Sequence, residues 1–369
     1  MKHQKTPAAT SAEVARRAGV SRTTVSFVLN NARHRGISDT TRERVLAVAR
    51  EIGYVPNAAA RSLAGGTSGT LALVVPKLEH LYVDAFLAQL VASVRECCHL
   101  HGFKLLIEST DGEGREPGQF LQLVHGRSID GVIVAHPRTT EMAHLQRLRD
   151  SEIPHVVFGC HLPAQEGLAM MGDDTCQSAC IAVNHLLNLG RRRVALVNYA
   201  SNEYHSAAQR EGGWRKALLD HGIEPQDGWC IAADITPESG YRATRELLAR
   251  QLHPDALFAG NDTIAFGALR ALREAALRVP QDVALVGYDD IPMAPFADPP
   301  LTSVHSDPAG HGRQAVHSLL LQLQNGRPKP PAAVQAPKLV IRESCGARAP
   351  EAGQPRGRAQ AGGAWAHSA

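Results

Sequence analysis

One stretch decides the fold of the N-terminal part of this chain: Thr10-Ser-Ala-Glu-Val-Ala-Arg-Arg-Ala-Gly-Val-Ser-Arg-Thr-Thr-Val-Ser-Phe-Val-Leu-Asn30. Thr10 and Glu13 have the spacing of a capping box, in which each side chain satisfies a free backbone amide at a helix start. Gly19 turns the chain at low steric cost, and Ser21 is placed to cap a second helix two residues later. This spacing predicts a helix-turn-helix.

The apolar and polar residues of the two predicted helices fall on opposite faces. One apolar stripe would pack the helices together, formed by Val14, Ala15, Ala18, Val20, Val25, Val28 and Leu29. The opposite face of the second helix carries Arg22, Thr23, Ser26, Phe27 and Asn30. Arginine pairs with a guanine edge, threonine methyls and aromatic edges contact thymine methyls, and hydroxyls and amides bind phosphates. The pattern favours DNA binding over the alternative, an ordinary solvated helix pair.

A third helix is predicted from about Asp39 to Ile52, starting near Ser38 and ended by Gly53. Its inward positions would be Val45, Leu46, Val48, Ala49 and Ile52. Residues 8–66 hold nine arginines against four acidic residues, a net charge of +5, whereas the whole chain carries only +3. The excess of positive charge is therefore concentrated at the N-terminus, as binding to nucleic acid requires.

An alanine-rich stretch follows the third helix and ends on Gly65 and Gly66. Asn57 is placed to cap a short helix there, but a helix of this length is not stable alone. It needs a partner, which a groove of DNA and the same segment of a second subunit would supply. We therefore predict a DNA-binding domain over residues 8–56 and a hinge helix with linker over residues 57–66.

These motifs carry a family resemblance. The pattern Glu-Val-Ala-Arg-Arg-Ala-Gly-Val-Ser-x-Thr-Thr-Val-Ser-x-Val-Leu-Asn, then Thr41-Arg-Glu-Arg-Val45 and Gly53-Tyr-Val-Pro-Asn-Ala-Ala-Ala-Arg-Ser-Leu63, strongly resembles the lactose repressor (LacI/GalR) family. The resemblance implies that bases are read by Arg22, Thr23 and Phe27, and that phosphates are contacted by Ser21, Thr24, Ser26 and Asn30. Phe27 departs from the family, which often has a hydrogen-bonding side chain there, and would favour a methyl contact.

The resemblance also makes Asn57 to Ala64 a hinge helix that folds on DNA. Leu63 stands in the position of an apolar wedge that opens a base step in the minor groove, with a plain buried leucine as the alternative. Two half-sites imply a homodimer, or a tetramer built from dimers, on a near-palindromic operator in double-stranded DNA.

From Gly69 onward, apolar runs alternate with segments of helical length and pattern, as in parallel sheets buried on both faces. Eight strands are predicted, and they suit two doubly wound lobes better than one sheet, with a ligand bound between the lobes. The runs are Thr70 to Val75, Lys104 to Ile107, Gly131 to Ala135, His155 to Phe158, Val194 to Val197, Trp229 to Ala232, Ala256 to Ala259 and Val283 to Gly287.

The resemblance supports this layout as a periplasmic-binding-protein-like α/β core over residues 67–346. It places the N-terminal lobe at about 69–161 and 297–325 and the C-terminal lobe at about 162–296 and 326–346. The chain would cross between the lobes near Cys160 to Glu166, Asp290 to Asp298, and Asn325 to Lys329. Motifs of the C-terminal lobe that resemble the family include Arg210-x-x-Gly-Trp214, Gly260-Asn-Asp-x-x-Ala265 and Val286-Gly-Tyr-Asp-Asp290.

Three polar residues are predicted to face the cleft: Arg210, Asn261 and Asp289. A forked cation, an amide and a carboxylate together bind hydroxyls or an anion on a small polar molecule, and the family contacts effector at these positions. The alternatives are a loop cap for Asp289 and a helix N-cap for Asn261.

Four residues after N-terminal-lobe strands are weaker candidates for the opposite wall of the cleft: Tyr82, Phe86, His136 and Arg138. Ile235 stands where relatives often have an aromatic residue that stacks on the effector. Gly159 stands where some sugar-binding members have an acidic side chain. Both departures weaken the assignment of a particular sugar.

The remaining motifs predict no metal or other cofactor. Cys97-Cys-His-x-His101, and Cys176 with Cys180, have helical spacing but no matching second pair for a structural zinc site. No apolar run is long enough to cross a membrane, and charges occupy the N-terminus where a signal peptide needs an apolar stretch. We expect a cytoplasmic protein with a disordered tail over residues 347–369, rich in Ala, Gly, Pro and Arg.

Together these features predict a non-enzymatic DNA-binding transcriptional regulator, specifically a repressor, whose operator affinity depends on a small polar metabolite. A two-lobed transport component would instead have a signal peptide and no basic three-helix head. An enzyme would need a phosphate loop after a strand or a nucleophile with its base, and the sequence contains neither pattern.

Overall fold

The computed structural model describes residues 9–29, 36–54, 67–110, 118, 120–126, 128–150, 153–159, 168–200, 203–325 and 336–347. The chain divides into two compact units, a head of residues 1–70 with 123–130 and a core of residues 71–122 with 131–369. Some predictions lie outside the described residues. These are the roles of Asn30, Asn57 and Leu63, the hinge helix, the first predicted crossing and almost all of the tail.

The head contains three helices, α1 (Ser11–Ala18), α2 (Arg22–Leu29) and α3 (Asp39–Glu51). Each begins at a hydroxyl cap: the side chains of Thr10, Ser21 and Ser38 accept from backbone amides at 3.3, 3.0 and 3.3 Å. Gly19 ends α1 with a positive φ of 62°, and its amide bonds to carbonyls of the last turn. The predicted helix boundaries are confirmed to within a residue because these caps act locally.

The predicted capping box at α1 forms only in part. The hydroxyl of Thr10 accepts from the amide of Glu13, but the Glu13 carboxylate turns outward and pairs with Arg16 and Arg17, whose Nε atoms lie 2.9 and 2.8 Å from its oxygens. These two arginines lower the pKa of Glu13 to about 2. The reciprocal half of the box is therefore replaced by surface ion pairs along the helix.

The apolar stripe predicted for the head forms its core. The fully buried members are Val14, Ala15, Ala18, Val25, Val28, Val45 and Ala49, with Val20, Leu29, Leu46, Val48 and Ile52 packed against them. Because all three helices contribute, the second helix is held rigidly with its other face outward.

The core consists of two sheets with helices on them. The N-terminal lobe has the sheet order β2-β1-β3-β4-β5. These strands are β1 (Thr70–Val75), β2 (Lys104–Ser109), β3 (Gly131–Ala135), β4 (His155–Phe158) and β5 (Met170–Met171). β1 pairs with β3, β3 with β4 and β4 with β5, all in parallel.

The C-terminal lobe has the sheet order β11-β10-β9-β8-β6-β7. These strands are β6 (Val194–Asn198), β7 (Cys230–Ala232), β8 (Ala256–Ala259), β9 (Ala284–Asp289), β10 (Thr302–His305) and β11 (Lys338–Val340). Pairing is parallel except between β10 and β11, which are antiparallel. The predicted two parallel sheets are confirmed, with one antiparallel edge strand added.

Eight further α-helices lie among the described residues of the chain: α4 (Ala85–Leu100), α5 (Leu121–His125), α6 (Met142–Asp150), α7 (Thr175–Asn188), α8 (His205–Asp220), α9 (Pro237–Ala249), α10 (Asp262–Glu274) and α11 (Pro308–Asn325). Short 3-10 turns occupy Leu78–Tyr82, Thr139–Glu141, Ala294–Phe296 and Glu343–Cys345. The helices α7 and α8 pack together, as do α9 and α10, and α4 packs on α11. The apolar strands are thereby buried on both faces.

The predicted lobe boundaries are wrong at two crossings. Met170–Met171 pairs with β4 and so belongs to the N-terminal lobe, although residues 162–296 were assigned to the other lobe. Thr302–His305 pairs with β9 and so belongs to the C-terminal lobe, although residues 297–325 were assigned to the first. The chain crosses after β5 and again between β10 and α11. Met170–Met171 is too short to show a periodic pattern, and three of the four residues of Thr302–His305 are polar. The periodicity of the sequence therefore does not indicate either strand.

Candidate functional site

The first candidate site is the outward face of α2. Arg22, Thr23 and Ser26 are exposed, Phe27 is half-buried at the edge, and Val25 and Val28 point into the head. Ser21 and Thr24 are partly committed within the helix start, because their hydroxyl oxygens lie 2.9 Å apart and Ser21 caps the Thr24 amide. The described members of the predicted DNA-reading set therefore share one surface, with a cation, hydroxyls and an aromatic edge beside each other.

The second candidate site is a cleft between the two lobes of the core. The space between its lining residues is about 820 Å³, a volume that includes the open solvent at its mouth. Its lining comes from segments that follow β1, β3, β4, β5, β6, β7, β8 and β10, and from the end of β9. The cleft thus lies at the carboxyl ends of both sheets, as the sequence predicts.

Arg210 lies on the cleft, on α8, with only 6% of its surface exposed. Its Nη1 donates to the carbonyl of Gly260 at 2.5 Å, and its guanidinium lies 3.7 Å from the ring centre of Tyr288 and 4.7 Å from that of Tyr199. Its Nε has no hydrogen-bond partner among the described residues. A buried donor without a partner is costly, so a ligand atom that accepts from Nε would be bound favourably.

Asp289 ends β9 with a positive φ of 104°, a conformation that is strained for any residue except glycine. This turn places its carboxylate on the cleft. Burial raises the pKa of Asp289 well above the usual range; Arg210 opposes the rise, while Asp84, Asp262 and Asp173 add to it. A carboxyl group held in this environment gains from any ligand that donates hydrogen bonds to it.

Asn261 lies on the cleft and also caps α10, because its side-chain oxygen accepts from the Ile264 amide at 2.8 Å. Both interpretations offered by the sequence therefore hold for its position. One lone pair of the oxygen is committed to the helix, so the side-chain nitrogen and the second lone pair remain to serve a ligand.

An aromatic wall forms the N-terminal-lobe side of the cleft. Phe86 and Phe158 lie 5.8 and 5.3 Å from the His136 ring, measured between centroids, and both contacts are edge-on. Burial, with Arg210 and His311 nearby, lowers the pKa of His136 to about 4, so the imidazole is neutral near pH 7. Phe86 and His136 thus occupy the predicted wall.

The imidazole of His136 fills the space in which a side chain at position 159 would lie. The φ of Gly159 is +85°, and a Cβ atom built there would lie 2.3 Å from the His136 Nδ1. No acidic side chain fits at this position unless His136 moves. The departure from sugar-binding relatives at Gly159 is therefore coupled to the presence of His136.

Two of the weaker candidates do not line the cleft. Tyr82 is 88% exposed at the end of a 3-10 turn, so the predicted contact with effector is not supported. Arg138 instead donates from Nε to the Tyr204 hydroxyl at 3.2 Å and lies over that ring at 5.5 Å. Arg138 joins the lobes at the rim and is not part of the cleft lining.

Further contacts close the lobes over the cleft at its rim. Asp234 of the C-terminal lobe lies 3.2 Å from the Lys77 Nζ and 3.0 Å from the His80 Nε2, both on the N-terminal lobe. The hydrogen bond with His80 is the main cause that lowers the pKa of Asp234. The amide of Thr139 also donates across the rim to the carbonyl of Glu203 at 2.7 Å. The two lobes are therefore in direct contact at the rim of the cleft.

The sequence analysis missed several lining residues: Asp84, Asp173, Tyr199, Tyr204, Ser206, Asp234, Tyr288 and Ser306. Asp84 offered a signal, because an aspartate directly before an apolar helical run is an N-cap, and helix starts face the cleft in such folds. Tyr288 was present in the motif Val286-Gly-Tyr-Asp-Asp290. The others follow strands but carry no local pattern.

Comparison with known proteins places both units in one family. Residues 10–57 match the family model of bacterial regulatory proteins, lacI family, and residues 183–345 match a periplasmic binding protein-like domain. The chain is 32% identical over 339 residues to an HTH-type transcriptional repressor PurR of Haemophilus influenzae, covering 91% of this chain and 98% of that protein. The chain belongs to the LacI family. The corresponding PurR of Photobacterium profundum is 30% identical over 338 residues, covering 91% and 98% of the two chains.

Solved structures agree with the LacI-family assignment. A complex of the transcriptional regulator CelR with cellobiose is 32% identical, with a TM-score of 0.67, covering 91% of this chain and 99% of that one. The lac repressor dimer, bound to operator and the anti-inducer ONPF, is 28% identical, with a TM-score of 0.78 and coverage of 92% and 99%. The predicted family and fold are confirmed.

Two further features are absent from the described residues. Within the described ranges, no helix has both the length and the apolar character needed to span a membrane. Within the same ranges, no three or more His, Cys, Asp and Glu side chains are grouped to hold a metal ion.

Proposed function

We propose that this LacI-family protein is a transcriptional repressor that binds a near-palindromic operator as a homodimer and changes its affinity when a small polar metabolite enters the cleft. The observation that carries the proposal is the joint presence of a capped helix-turn-helix with an outward polar face and a two-lobed cleft with an unpaired buried Arg210 Nε. We assign the protein no catalytic role and place it with DNA in the cytoplasm.

The relatives support each part of this proposal separately. Repressors named PurR match 91% of the chain, the lac repressor structure is a dimer on its operator, and the CelR structure holds cellobiose. The direction of the effect depends on linkage: an inducer binds the DNA-bound form less tightly, whereas a corepressor binds it more tightly. The proposal holds for either direction.

Replacement of Arg22 by Ala should relax the preference for one operator base pair, at a cost of about 1–3 kcal/mol, because a guanidinium that reads a base edge is lost. Selection of randomised DNA duplexes by the full chain measures this preference. Arg44→Ala is the matched control, since Arg44 is exposed on α3 and its loss removes the same charge. An unchanged preference in Arg22→Ala would contradict the assignment of Arg22.

Replacement of Asp289 by Ala should leave operator binding intact and abolish the response to effector, because only the cleft loses a hydrogen-bonding partner. The measurement is a titration of operator DNA with the variant, repeated with each metabolite that shifts the wild-type curve. A retained shift in the Asp289→Ala curve would show that the effector does not contact this carboxylate. Loss of operator binding without effector would mean that Asp289 supports the fold instead.

A further inference from the structure

Two buried carboxylates face the cleft from opposite lobes. Asp84 caps α4 on the N-terminal lobe and is 7% exposed, and Asp289 ends β9 on the C-terminal lobe and is 9% exposed. Both line the cleft. Asp84 lies outside the motifs on which the family resemblance rests.

Neither carboxylate is fully used by the protein. Asp84 caps its helix with Oδ1 alone, which accepts from the amides of Phe86 and Leu87 at 2.9 and 3.3 Å. Within the described residues, the hydrogen bond found for Asp289 is to its backbone carbonyl, which accepts from the Ser306 amide at 3.4 Å, and its carboxylate is left to the cleft. Both residues line the cleft, and a carboxylate oxygen accepts more than one hydrogen bond, so both groups can accept from a ligand that supplies donors.

The positive charge in the cleft is smaller than the negative charge. Arg210 interacts electrostatically with Asp84 and with Asp289, but its Nη1 is already bonded to the Gly260 carbonyl and two tyrosine rings flank its guanidinium. The other carboxylates at the cleft have their own partners: Asp234 has Lys77 and His80, and Asp173 has His311. One guanidinium therefore balances two carboxylates.

We propose that Asp84 is a ligand-contacting residue and that, together with Asp289, it selects ligands that carry hydrogen-bond donors and no negative charge, and rejects anions. Closure of the lobes brings the two carboxylates onto one ligand, so a ligand with donors at both ends stabilises the closed form. This inference rests on the proposed function, because it assumes that the cleft is the effector site. Anionic metabolites would add a third negative charge to a site that already has an excess.

The first test uses the full chain without ligand. In Asp84→Asn the cap is retained, since Asn caps as well as Asp, but the charge is removed. The charged and titratable groups that act on Asp84 are His80, Arg210 and Asp289. Burial raises the pKa of Asp84 in the folded protein. The free energy of unfolding therefore falls as the pH rises above the ordinary pKa of an aspartate, because the folded protein holds the charged form less favourably than the unfolded chain does. We expect the variant to melt about 2–4 °C above wild type at pH 8, with the difference narrowing toward pH 5.

Asp174→Asn is the matched control for this measurement. Asp174 caps α7 through a bond of 2.9 Å from the Gln177 amide and does not line the cleft. It should show no gain at pH 8, since it loses only the attraction to its helix terminus. The proposal is overturned if Asp84→Asn melts below wild type at every pH, or if its melting temperature changes no more than that of Asp174→Asn. Either result would mean that the Asp84 carboxylate is not repelled by a second negative charge.

The second test uses inorganic phosphate as the anionic probe, at constant ionic strength in the low millimolar range. Wild type should gain no stability, because the two carboxylates repel phosphate from Arg210. The double variant Asp84→Asn/Asp289→Asn leaves Arg210 unopposed and should gain a saturable rise in melting temperature. Saturable stabilisation of wild type, or none in the double variant, would overturn the selectivity. Neither test uses operator or effector. Failure of this inference can therefore be distinguished from failure of the proposed function, which the operator titrations test.

Discussion

Replacement of Arg210 by Met should destabilise the core by about 3–5 kcal/mol at neutral pH, the loss expected when one partner of a buried charge cluster is removed. The methionine keeps the length and apolar contacts of the side chain against Tyr199 and Tyr288 but removes the donor to the Gly260 carbonyl. It also leaves Asp84 and Asp289 without the cation that opposes the rise in their pKa values. Chemical denaturation measures the change.

The loss should depend on pH in a definite direction. The pKa values of Asp84 and Asp289 lie above their ordinary value of 3.8 in the folded protein, so both groups bind protons more readily folded than unfolded. Stability therefore falls as the pH rises above that value, and without Arg210 it falls more steeply. The deficit of Arg210→Met should thus be larger at pH 8 than at pH 5.

Arg215→Met is the matched control on the same helix. Arg215 is half-exposed and pairs with Glu211 at 3.2 Å, an arrangement worth no more than about 1 kcal/mol. Its loss should be small and nearly independent of pH. Equal effects of the two substitutions would mean that the guanidinium of Arg210 is not electrostatically engaged with the cleft carboxylates.

Local signals account for what the sequence predicted well. Helix starts at Thr10, Ser21 and Ser38 are set by hydroxyls that bond to amides three residues later, so the sequence alone locates them. Eight of the eleven strands among the described residues are predicted for the same reason, since a buried parallel strand is an apolar run whatever surrounds it. Glu13 shows where such local signals fail to predict a contact. Arginines one turn away compete with the backbone for its carboxylate, so the capping box forms only in part.

Residues of the cleft can be predicted from the sequence only where they belong to a motif shared with the family. Arg210 lies within α8, Asn261 caps α10 and Asp289 ends β9; all three belong to motifs shared with the family and line the cleft. Tyr82 is exposed instead, because the direction of a side chain in a short turn depends on tertiary packing, which no local pattern encodes. Asp84 was missed because a helix cap and a ligand contact have the same sequence signature, and only lobe closure distinguishes them.

Two adjacent glycines on α8 should respond to alanine with opposite signs. A Cβ atom at Gly213 would lie 2.2 Å from the carbonyl oxygen of Cys176 and 2.8 Å from the Ala179 Cβ, so α7 or α8 must shift. Gly213→Ala should therefore cost about 1–3 kcal/mol, as overpacking does. At Gly212 no atom lies within 4 Å, so Gly212→Ala should gain about 0.5–1 kcal/mol from the reduced freedom of the unfolded chain.

The two substitutions Gly212→Ala and Gly213→Ala also test whether the packing of α8 sets the geometry of the cleft. Arg210 lies one turn before Gly213 on the same helix, and its Nη1 reaches a fixed carbonyl at Gly260. A shift of α8 away from α7 would lengthen that bond, so Gly213→Ala should weaken the effector response as well as stability, whereas Gly212→Ala should preserve it. Denaturation and an operator titration with effector measure the two effects. If Gly213→Ala lost stability but kept a wild-type response, the position of Arg210 would be independent of the contact between α7 and α8.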